Sequence, residues 1–299
     1  MKKLTITIGI PVYNEEKNIL PLVESIKRQK TNECKIEKII ISSDGSSDDT
    51  NKILKKIDGG KIKAILNSDR KGISRGLNQI IKYTDSDILV TLDADIFIKD
   101  NDFIQNLVEP ILSRGVDHTS SSIKDCLNLN YFSKMLSNSM KLKEILFKNF
   151  KNGDNIYNCH GLARGYSRKL YKKLVFPISI GNDMYSYLYV VSNKYKFEYV
   201  SKSVAYYKLP SNIKDHFKQS FRFFSIRNSI SNYFEKSMIN EQLNITYKEY
   251  FKSVIESIPL IIQNPILTLL YVLVDFTVLL ATRFYKLNSQ TWDMAYSTK

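Results

Sequence analysis

A repeated strand, loop and helix pattern fills the first hundred residues and limits the fold more than any other feature. Residues 4–10 are predicted as a strand and residues 15–30 as a helix, because apolar side chains recur there at strand and then helix spacing. The pattern recurs in three further strands, at residues 38–41, 62–66 and 88–92, and in two further helices, at residues 48–57 and 74–83. Strands that alternate with helices imply right-handed crossovers and a mainly parallel sheet flanked by helices, which is an α/β fold. In such sheets, ligands bind beyond the carboxyl ends of the strands.

The composition favours a folded intracellular protein. With 299 residues and 43% hydrophobic side chains, the chain can bury the core of one large domain or two small ones, which excludes the disordered class. Cys34, Cys126 and Cys159 are far apart and odd in number, so neither a zinc knuckle nor a disulfide framework is predicted. The apolar run at residues 4–10 is too short for a signal peptide, so we expect the N-terminus to be part of the fold.

The charge of the chain is strongly positive, at +14, and the excess lies downstream. Residues 1–100 carry 18 basic and 15 acidic groups, whereas residues 101–299 carry 26 and 15. Such a field favours nucleic acid, anionic lipid or phosphorylated substrates as partners. Plain solvated surface is the alternative explanation.

Two aspartates directly after the fourth predicted strand are candidate metal ligands. In extended geometry, Asp93 and Asp95 point to the same side and can share one hard cation, leaving positions for water and diphosphate oxygens. The chain holds three such D-x-D pairs, but this pair alone follows a continuous buried strand, at residues 88–92. The alternative is a pair of solvated loop acids.

The loop at residues 42–50 is a second candidate. Neither a G-x-G-x-x-G sequence nor a P-loop is present, so phosphates must be held in another way. Asp44 could accept hydrogen bonds from a base or ribose, and Gly45 could let a ligand approach the backbone. The alternative is an ordinary turn, with Ser47 or Asp48 as the N-cap of the next helix.

Four motifs in this order resemble the family 2 glycosyltransferases, a large inverting family with the GT-A fold. They are residues 10–16, residues 43–48, Lys71-Gly72 with Asn78, and residues 92–95. The resemblance covers the first hundred residues closely and implies a nucleotide-sugar donor and a Mn²⁺ or Mg²⁺ ion. It implies metal binding by Asp93 and Asp95 and donor binding by Pro11, Tyr13, Glu15, Asp44, Lys71 and Asp93. One departure is Ser43, which stands where the family often has an acid.

The resemblance extends to residues 180–184, where the family carries a Glu-Asp pair at the start of a helix. Asn182 replaces the Glu, and Asp183 remains as the implied catalytic base. A carboxylate there could take the proton that an acceptor hydroxyl loses as it attacks the anomeric carbon. The alternative is that Asn182 or Asp183 caps a helix that runs through Val191.

Residues 218–223 are similar to the Q-x-x-R-W motif of membrane-associated family members, with Phe223 in place of Trp. Gln219 and Arg222 would share one helix face. The resemblance implies that Arg222 reaches the donor diphosphate and Gln219 the acceptor. An amphipathic helix whose phenylalanines pack on the core, with Arg222 in water, is the alternative. His160 and His216 are interpreted as structural.

The segment 258–282 suggests a membrane, because its only strongly polar residues are Gln263, Asn264 and Asp275. A single span would place Arg283 outside, against the positive-inside tendency. We therefore expect an in-plane or re-entrant anchor, with the basic downstream half against anionic lipid. A buried helix or a contact between copies in a homo-oligomer is the alternative.

Together these observations predict a metal-dependent, hexosyltransferase-like inverting glycosyltransferase at the cytoplasmic face of the cell membrane, with no nucleic-acid partner. It would move a sugar from a nucleotide-sugar donor, first of all a UDP-sugar, to a lipid-linked saccharide or growing glycan. The predicted organisation is a catalytic GT-A domain at 1–215 (donor half 1–100, acceptor half 101–215), interface helices at 216–257 and a membrane-associated segment at 258–299. The alternatives are a metal-dependent nucleotidyltransferase and a basic nucleic-acid or membrane-binding module.

Overall fold

The structure is a computed structural model that describes residues 3–126, 130–178, 181–284 and 296–298; side chains at 222–228, 282–284 and 296 are outside that description. The chain divides into two compact units. The first comprises Met1–Lys124 and Cys159–Tyr207, and the second comprises Asp125–Asn158 and Lys208–Thr298. Residues 125–158, which the sequence places in the acceptor half, therefore group with the helices after residue 208.

The first unit is built on one seven-stranded sheet with the strand order β3-β2-β1-β4-β6-β5-β7. The strands are β1 (Leu4–Val12), β2 (Cys34–Asp44), β3 (Ile62–Asn67), β4 (Ile88–Leu92), β5 (His118–Asp125), β6 (Ala163–Ser167) and β7 (Phe197–Tyr207). The pairs β1/β2, β1/β4 and β2/β3 are parallel, whereas β6 runs antiparallel to β4 and to β5. The predicted α/β fold with a mainly parallel sheet is confirmed.

Helices connect the strands of the first unit and form most of the second. In chain order they are α1 (Ile19–Lys27), α2 (Thr50–Ile57), α3 (Ile73–Lys82), α4 (Phe103–Arg114), α5 (Tyr131–Asn149), α6 (Arg168–Tyr171), α7 (Asn182–Ser192), α8 (Ile213–Ile230), α9 (Lys236–Leu243), α10 (Tyr247–Gln263) and α11 (Pro265–Phe284). Helices α5 and α8 to α11 belong to the second unit.

The core of the first unit lies along β1 and β4. Every residue of β4 is buried, as are Ile6, Ile8 and Ile10 of β1, which explains their β-branched, apolar composition. The predicted bounds of β4 agree with the structure. Strand β2 is longer than predicted and includes residues 42–44, expected as loop, because they pair in parallel with β1 on one side and β3 on the other.

The second unit packs α5 against α10 and α11. Asn149 Nδ2 donates to Ser253 Oγ at 3.1 Å, and Asn138 Nδ2 donates to Thr268 Oγ1 at 2.9 Å. The N-terminus of α10 is closed by a capping box between Thr246 and Glu249, which satisfies backbone donors that a helix start leaves open.

Helices α10 and α11 expose many large apolar side chains, including Phe251, Ile262, Leu269 and Leu273. Within the described residues, no single helix has both the length and the apolar composition needed to cross a bilayer. The stretches Lys236–Gln263 and Pro265–Ala281 reach that composition only as a pair, and they are bent by 117° relative to each other.

Candidate active site

The predicted site residues of the first unit follow the carboxyl ends of parallel strands. β1 ends at Val12, β2 at Asp44 and β4 at Leu92, and these three strands are hydrogen-bonded neighbours. Their ends therefore meet at one edge of the sheet, where α/β proteins bind ligands. The sheet thus places Tyr13, Asp44 and the pair Asp93 and Asp95 at the same edge.

Asp44 organises the turn that leads into α3. Its side chain is buried, and Oδ1 accepts hydrogen bonds from the Lys71 backbone N–H at 3.0 Å and from Arg75 Nη2 at 2.7 Å. Oδ2 accepts from the Gly72 N–H at 2.7 Å. Arg75 also pairs with Asp69. The predicted nucleoside ligand thus also holds the loop in shape, through an arginine that the sequence reasoning missed.

Gly45 turns the chain, as in the alternative interpretation of this loop as an ordinary turn. Its φ is +70°, and a Cβ built there would lie 2.6 Å from the backbone carbon of Asp69. The space expected for a ligand is therefore filled by the chain itself. The absent side chain lets two loops touch, and the positive φ adds a second reason for glycine.

The last residues of β1 and the loop that follows them carry three predicted donor ligands. Pro11 is half-buried, and the half-buried Tyr13 has the Arg70 guanidinium over its ring, 4.0 Å from the centroid. Glu15 is buried and its Oε2 accepts from Asn18 Nδ2 at 2.8 Å. Tyr13 and Pro11 are therefore partly exposed, and a ligand could contact them. Glu15, in contrast, forms a hydrogen bond within the loop.

Lys71 lies on the loop between β3 and α3. Its side chain is exposed, and Nζ forms an ion pair of 3.1 Å with Asp69. Its backbone N–H is committed to Asp44. The ammonium group is thus placed at the surface of the same turn, where an exposed ion pair adds little stability.

Asp93 and Asp95 are both half-buried and flank the buried Ala94. The extended geometry assumed for them is wrong, because β4 ends at Leu92 and residues 94–95 form a turn. The Asp93 backbone N–H donates to Leu162 O at 2.9 Å, which fixes where the turn leaves the sheet. Across the described residues, no group of three or more His, Cys, Asp or Glu side chains gathers as for a metal ion. Two carboxylates still fit Mg²⁺ or Mn²⁺, because such ions commonly take one or two protein carboxylates and complete their shell with water and substrate phosphates.

Gly161 lies beside the carboxylates of two residues that are ninety positions apart in sequence. A Cβ built on Gly161 would be 3.6 Å from Asp93 Oδ2 and 3.8 Å from Asp183 Oδ2. The two carboxylate oxygens are therefore no farther apart than the sum of these distances. The structure brings the predicted metal ligand and the predicted base to one glycine-lined spot.

Asp183 is placed by the first turn of α7. The helix N-cap is Gly181 and makes no side-chain cap hydrogen bond, so neither Asn182 nor Asp183 is the N-cap that the alternative interpretation required. Asp183 Oδ1 accepts from the Met184 backbone N–H at 2.8 Å. An acid in the first turn is favoured by the helix dipole, which stabilises its negative charge.

Asn182 binds the buried arginine of β6. Arg164 is 1% exposed; its Nη2 donates to Asn182 Oδ1, and its Nη1 donates to Ser186 Oγ at 3.3 Å. Burial opposes the guanidinium charge, whereas Tyr166, Cys159, Asp183 and Asp93 favour it, and the pKa of Arg164 is raised above its ordinary value.

Behind this arginine lies a fully buried polar cluster. His118 Nδ1 is 2.9 Å from Gly165 O, and its Nε2 is 3.2 Å from Ser186 Oγ and 3.4 Å from Cys159 Sγ. Burial lowers the pKa of His118 to about 3 and raises the pKa of Cys159 to about 12, so both are neutral at physiological pH.

Gln219 and Arg222 both lie on α8, in the second unit. Gln219 is half-exposed, and the side chain of Arg222 lies outside the described residues. On the same helix the rings of Phe217 and Phe221 stack at 5.8 Å, and Phe221 is buried, as an amphipathic helix requires. The roles of Gln219 and Arg222 stay predictions.

Sequence reasoning missed the positively charged and neutral groups that support the acids: Arg75, Arg164, His118 and Ser186. No local pattern marks these residues, because their partners come from other strands, helices and loops.

The chain was compared with known proteins. Residues 7–175, more than half of the chain, match the family model described as glycosyl transferase family 2. Over 99 residues the chain is 38% identical to undecaprenyl-phosphate 4-deoxy-4-formamido-L-arabinose transferase of Proteus mirabilis, which covers 30% of this chain and only 29% of that protein. It is 24% identical to the O-antigen chain rhamnosyltransferase RfbN of Salmonella typhimurium over 235 residues, 73% of this chain and 71% of that one.

A solved structure shows the same fold. The mannosyltransferase PcManGT of Pyrobaculum calidifontis, in complex with GDP-Man and Mn²⁺, superposes with a TM-score of 0.60 at 15% identity, covering 96% of this chain and 77% of that one. The family match spans the sheet edge that carries Tyr13, Asp44 and Asp93. On that match and the fold that accompanies it, the chain belongs to glycosyl transferase family 2.

Proposed function

We propose that this chain is an inverting glycosyltransferase that uses a nucleotide-sugar donor, with UDP-sugars as the first class to test. The observation that carries the proposal is the position of Asp93 and Asp183, whose carboxylates both flank Gly161 at the carboxyl edge of the sheet. A group that binds the donor diphosphate and a group that accepts a proton from the acceptor must lie this close, because the sugar is transferred between them.

The proposed reaction is a single displacement. Asp183 takes the proton of the acceptor hydroxyl while the hydroxyl oxygen forms a bond to the anomeric carbon. The bond between that carbon and the diphosphate oxygen breaks, and the nucleoside diphosphate leaves with the electron pair. Attack from the face opposite the leaving group inverts the anomeric configuration.

Asp93 and Asp95 would hold the divalent cation, Mn²⁺ or Mg²⁺, which when bound supplies neutralising charge for the diphosphate. Tyr13 and Pro11 are proposed to contact the nucleoside, since both keep partly exposed surface at the edge of the sheet. Asp44 and Lys71 are proposed to bind the donor from the turn before α3, and Glu15 from the loop after β1. Arg222 is proposed to bind the donor diphosphate, and Gln219 is proposed to bind the acceptor.

The acceptor is proposed to be a lipid-linked saccharide or growing glycan. The two curated relatives support this class, because the name of one specifies undecaprenyl phosphate and that of the other an O-antigen chain. Helices α10 and α11 would then bind the cytoplasmic face of the cell membrane. Their exposed apolar side chains and the net charge of +14 both suit an anionic bilayer.

A donor panel tests the catalytic proposal. Purified protein is incubated with UDP-sugars and GDP-mannose, and release of nucleoside diphosphate is measured with and without chelator. We expect Asp183→Asn and Asp95→Asn to lose transfer, whereas Asp100→Asn, in an exposed pair of the same type, keeps it. Release of pyrophosphate instead would indicate a nucleotidyltransferase. Full activity of Asp95→Asn in the presence of chelator would refute the metal assignment.

Vesicle binding tests the membrane proposal. Leu269 and Leu273 are 61% and 54% exposed on one face of α11, and the double change to Glu should abolish co-sedimentation with anionic vesicles. Val175→Glu, at an equally exposed apolar position of the first unit, should leave binding intact. If the double variant instead changes only the oligomeric state, the apolar face contacts a second copy.

A further inference from the structure

Arg164 is a cation enclosed within the sheet of the first unit. It pairs with Thr91 of β4 on one side and with Ser120 of β5 on the other, and it is 1% exposed. An isolated buried charge is strongly unfavourable unless other groups compensate for it. Groups near Arg164 must therefore compensate its positive charge.

Within the described residues, the hydrogen-bond acceptors of Arg164 lie in the first turns of α7. Its Nη2 donates to Asn182, its Nη1 donates to Ser186, and its Nε has no partner within the described part of the chain. Ser186 Oγ also lies 2.9 Å from the carbonyl oxygen of Asp183. The guanidinium therefore contacts the residue before Asp183 and the residue one turn after it.

The negative charge that compensates Arg164 comes from the site. Four groups favour its charge, Tyr166, Cys159, Asp183 and Asp93. Burial raises the pKa of Tyr166 and of Cys159 to about 12, so both are neutral at physiological pH. The other two groups are the carboxylates of Asp183 and Asp93.

The acceptors around Ser186 allow one consistent set of hydrogen-bond directions. Gly165 O can only accept, so the neutral His118 carries its proton on Nδ1, and its Nε2 must accept. Ser186 has one hydroxyl proton; if Ser186 donates it to Asp183 O, the Cys159 thiol is the donor to His118 Nε2 at 3.4 Å. Ser186 then accepts from Arg164, and among these groups Arg164 Nε is left without a partner within the described part of the chain. The remaining buried hydrogen bonds favour one arrangement of the cluster.

We propose that Arg164 is a positioning residue that holds the first turn of α7, and with it the carboxylate of Asp183, beside Asp93. It acts through two routes, hydrogen bonds to Asn182 and Ser186, and attraction to the two carboxylates. This inference rests on the proposed function, because it assigns Arg164 to the placement of the proposed base.

Kinetics provide the first test. Arg164→Met keeps a long unbranched side chain and removes its charge, and it should lower stability because the nearby carboxylates lose their buried cation. We expect kcat to fall about tenfold or more while the donor KM stays within about twofold, since Arg164 is buried and is not itself proposed to contact the donor. Arg164→Lys keeps the charge but not the two-armed contact, and should recover part of kcat. Asn182→Ala leaves Arg164 in place and should lower kcat in the same way.

Stability provides a second test that needs no substrate. Asp183→Asn should lower the urea midpoint in the wild type, because it removes a compensating charge from Arg164. The same change in Arg164→Met should have little effect, which gives a non-additive double-mutant cycle. Val175→Asn, outside the cluster, should be additive with Arg164→Met.

The outcomes separate the two proposals. If the wild type releases nucleoside diphosphate from no donor, the proposed function fails, and the cycle still measures whether Arg164 and Asp183 are coupled. If the wild type is active and Arg164→Met keeps its kcat, the positioning role is refuted whatever the cycle gives. Should Arg164→Met not fold, unchanged kcat in Asn182→Ala would refute it equally.

Discussion

Because His118 is buried in its neutral form, we expect the protein to lose stability as the pH falls below neutral. Its ring is fully buried, its Nδ1 donates to a backbone carbonyl, and burial lowers its pKa from the ordinary 6.5 to about 3. Between these values the unfolded chain binds a proton that the folded chain excludes. Stability from this group is therefore lost as the pH falls through 6.5 and continues to be lost until about 3.

The magnitude follows from the difference in bound protons. Lowering the pH from 7 to 5 should cost about 2 kcal/mol through His118 alone. This figure hardly depends on the folded pKa, because the folded ring is already unprotonated at pH 5. For a domain of marginal stability, such a change is a large fraction of the total.

Urea unfolding at the two pH values, followed by circular dichroism, measures this loss. His118→Asn keeps an N–H donor for Gly165 and removes the titrating ring, so its stability should fall by about 2 kcal/mol less than that of the wild type between pH 7 and 5. Lys52→Gln, at an exposed position that does not titrate in this range, should keep the wild-type dependence. Equal pH dependence in the wild type and His118→Asn would refute the reasoning.

Three further predictions concern single side chains of the first unit. Gly161→Ala should place a methyl group against both site carboxylates, leave the urea midpoint unchanged and lower sugar transfer about tenfold or more. Gly45→Ala should destabilise more than Gly60→Ala in urea unfolding: both carry a positive φ, which costs roughly 1–2 kcal/mol, but only the first meets backbone atoms. Arg75→Met should cost roughly 1–3 kcal/mol in the same assay by leaving a buried carboxylate short of a donor. Lys52→Met, in a solvent-exposed ion pair, should show no measurable change.

The fold was largely predictable because its signals are local. Residues 88–92 are apolar except for Thr91, and they form the buried strand β4 with the predicted bounds. Residues 42–44 are polar and were expected as loop, yet they complete β2. Their strand conformation comes from pairing with β1 and β3, and pairing between distant segments leaves no mark on a local pattern.

The site residues that could be predicted are acidic side chains at or directly after the ends of strands. The acids that follow strand ends, such as Asp44 and Asp93, could be identified because parallel strands bring their carboxyl ends together. The residues that form hydrogen bonds or ion pairs with these acids could not be identified from the sequence. Arg75 and Arg164 reach their acids across loops and sheet neighbours, and a lone arginine carries no sequence mark that distinguishes a buried partner from a solvated one.

The antiparallel pairing of β5 and β6 has a consequence for how this chain can evolve. Residue 118 lies opposite residue 166, and residue 120 lies opposite residue 164, so the polypeptide leaves the first unit and returns to it through two adjacent strands. Residues 125–158, most of the chain between these strands, belong to the second unit. Insertions and deletions in residues 125–158 should therefore leave the register between β5 and β6 unchanged. That stretch is accordingly where related chains can diverge in length and sequence while the residues beside Gly161 keep their places.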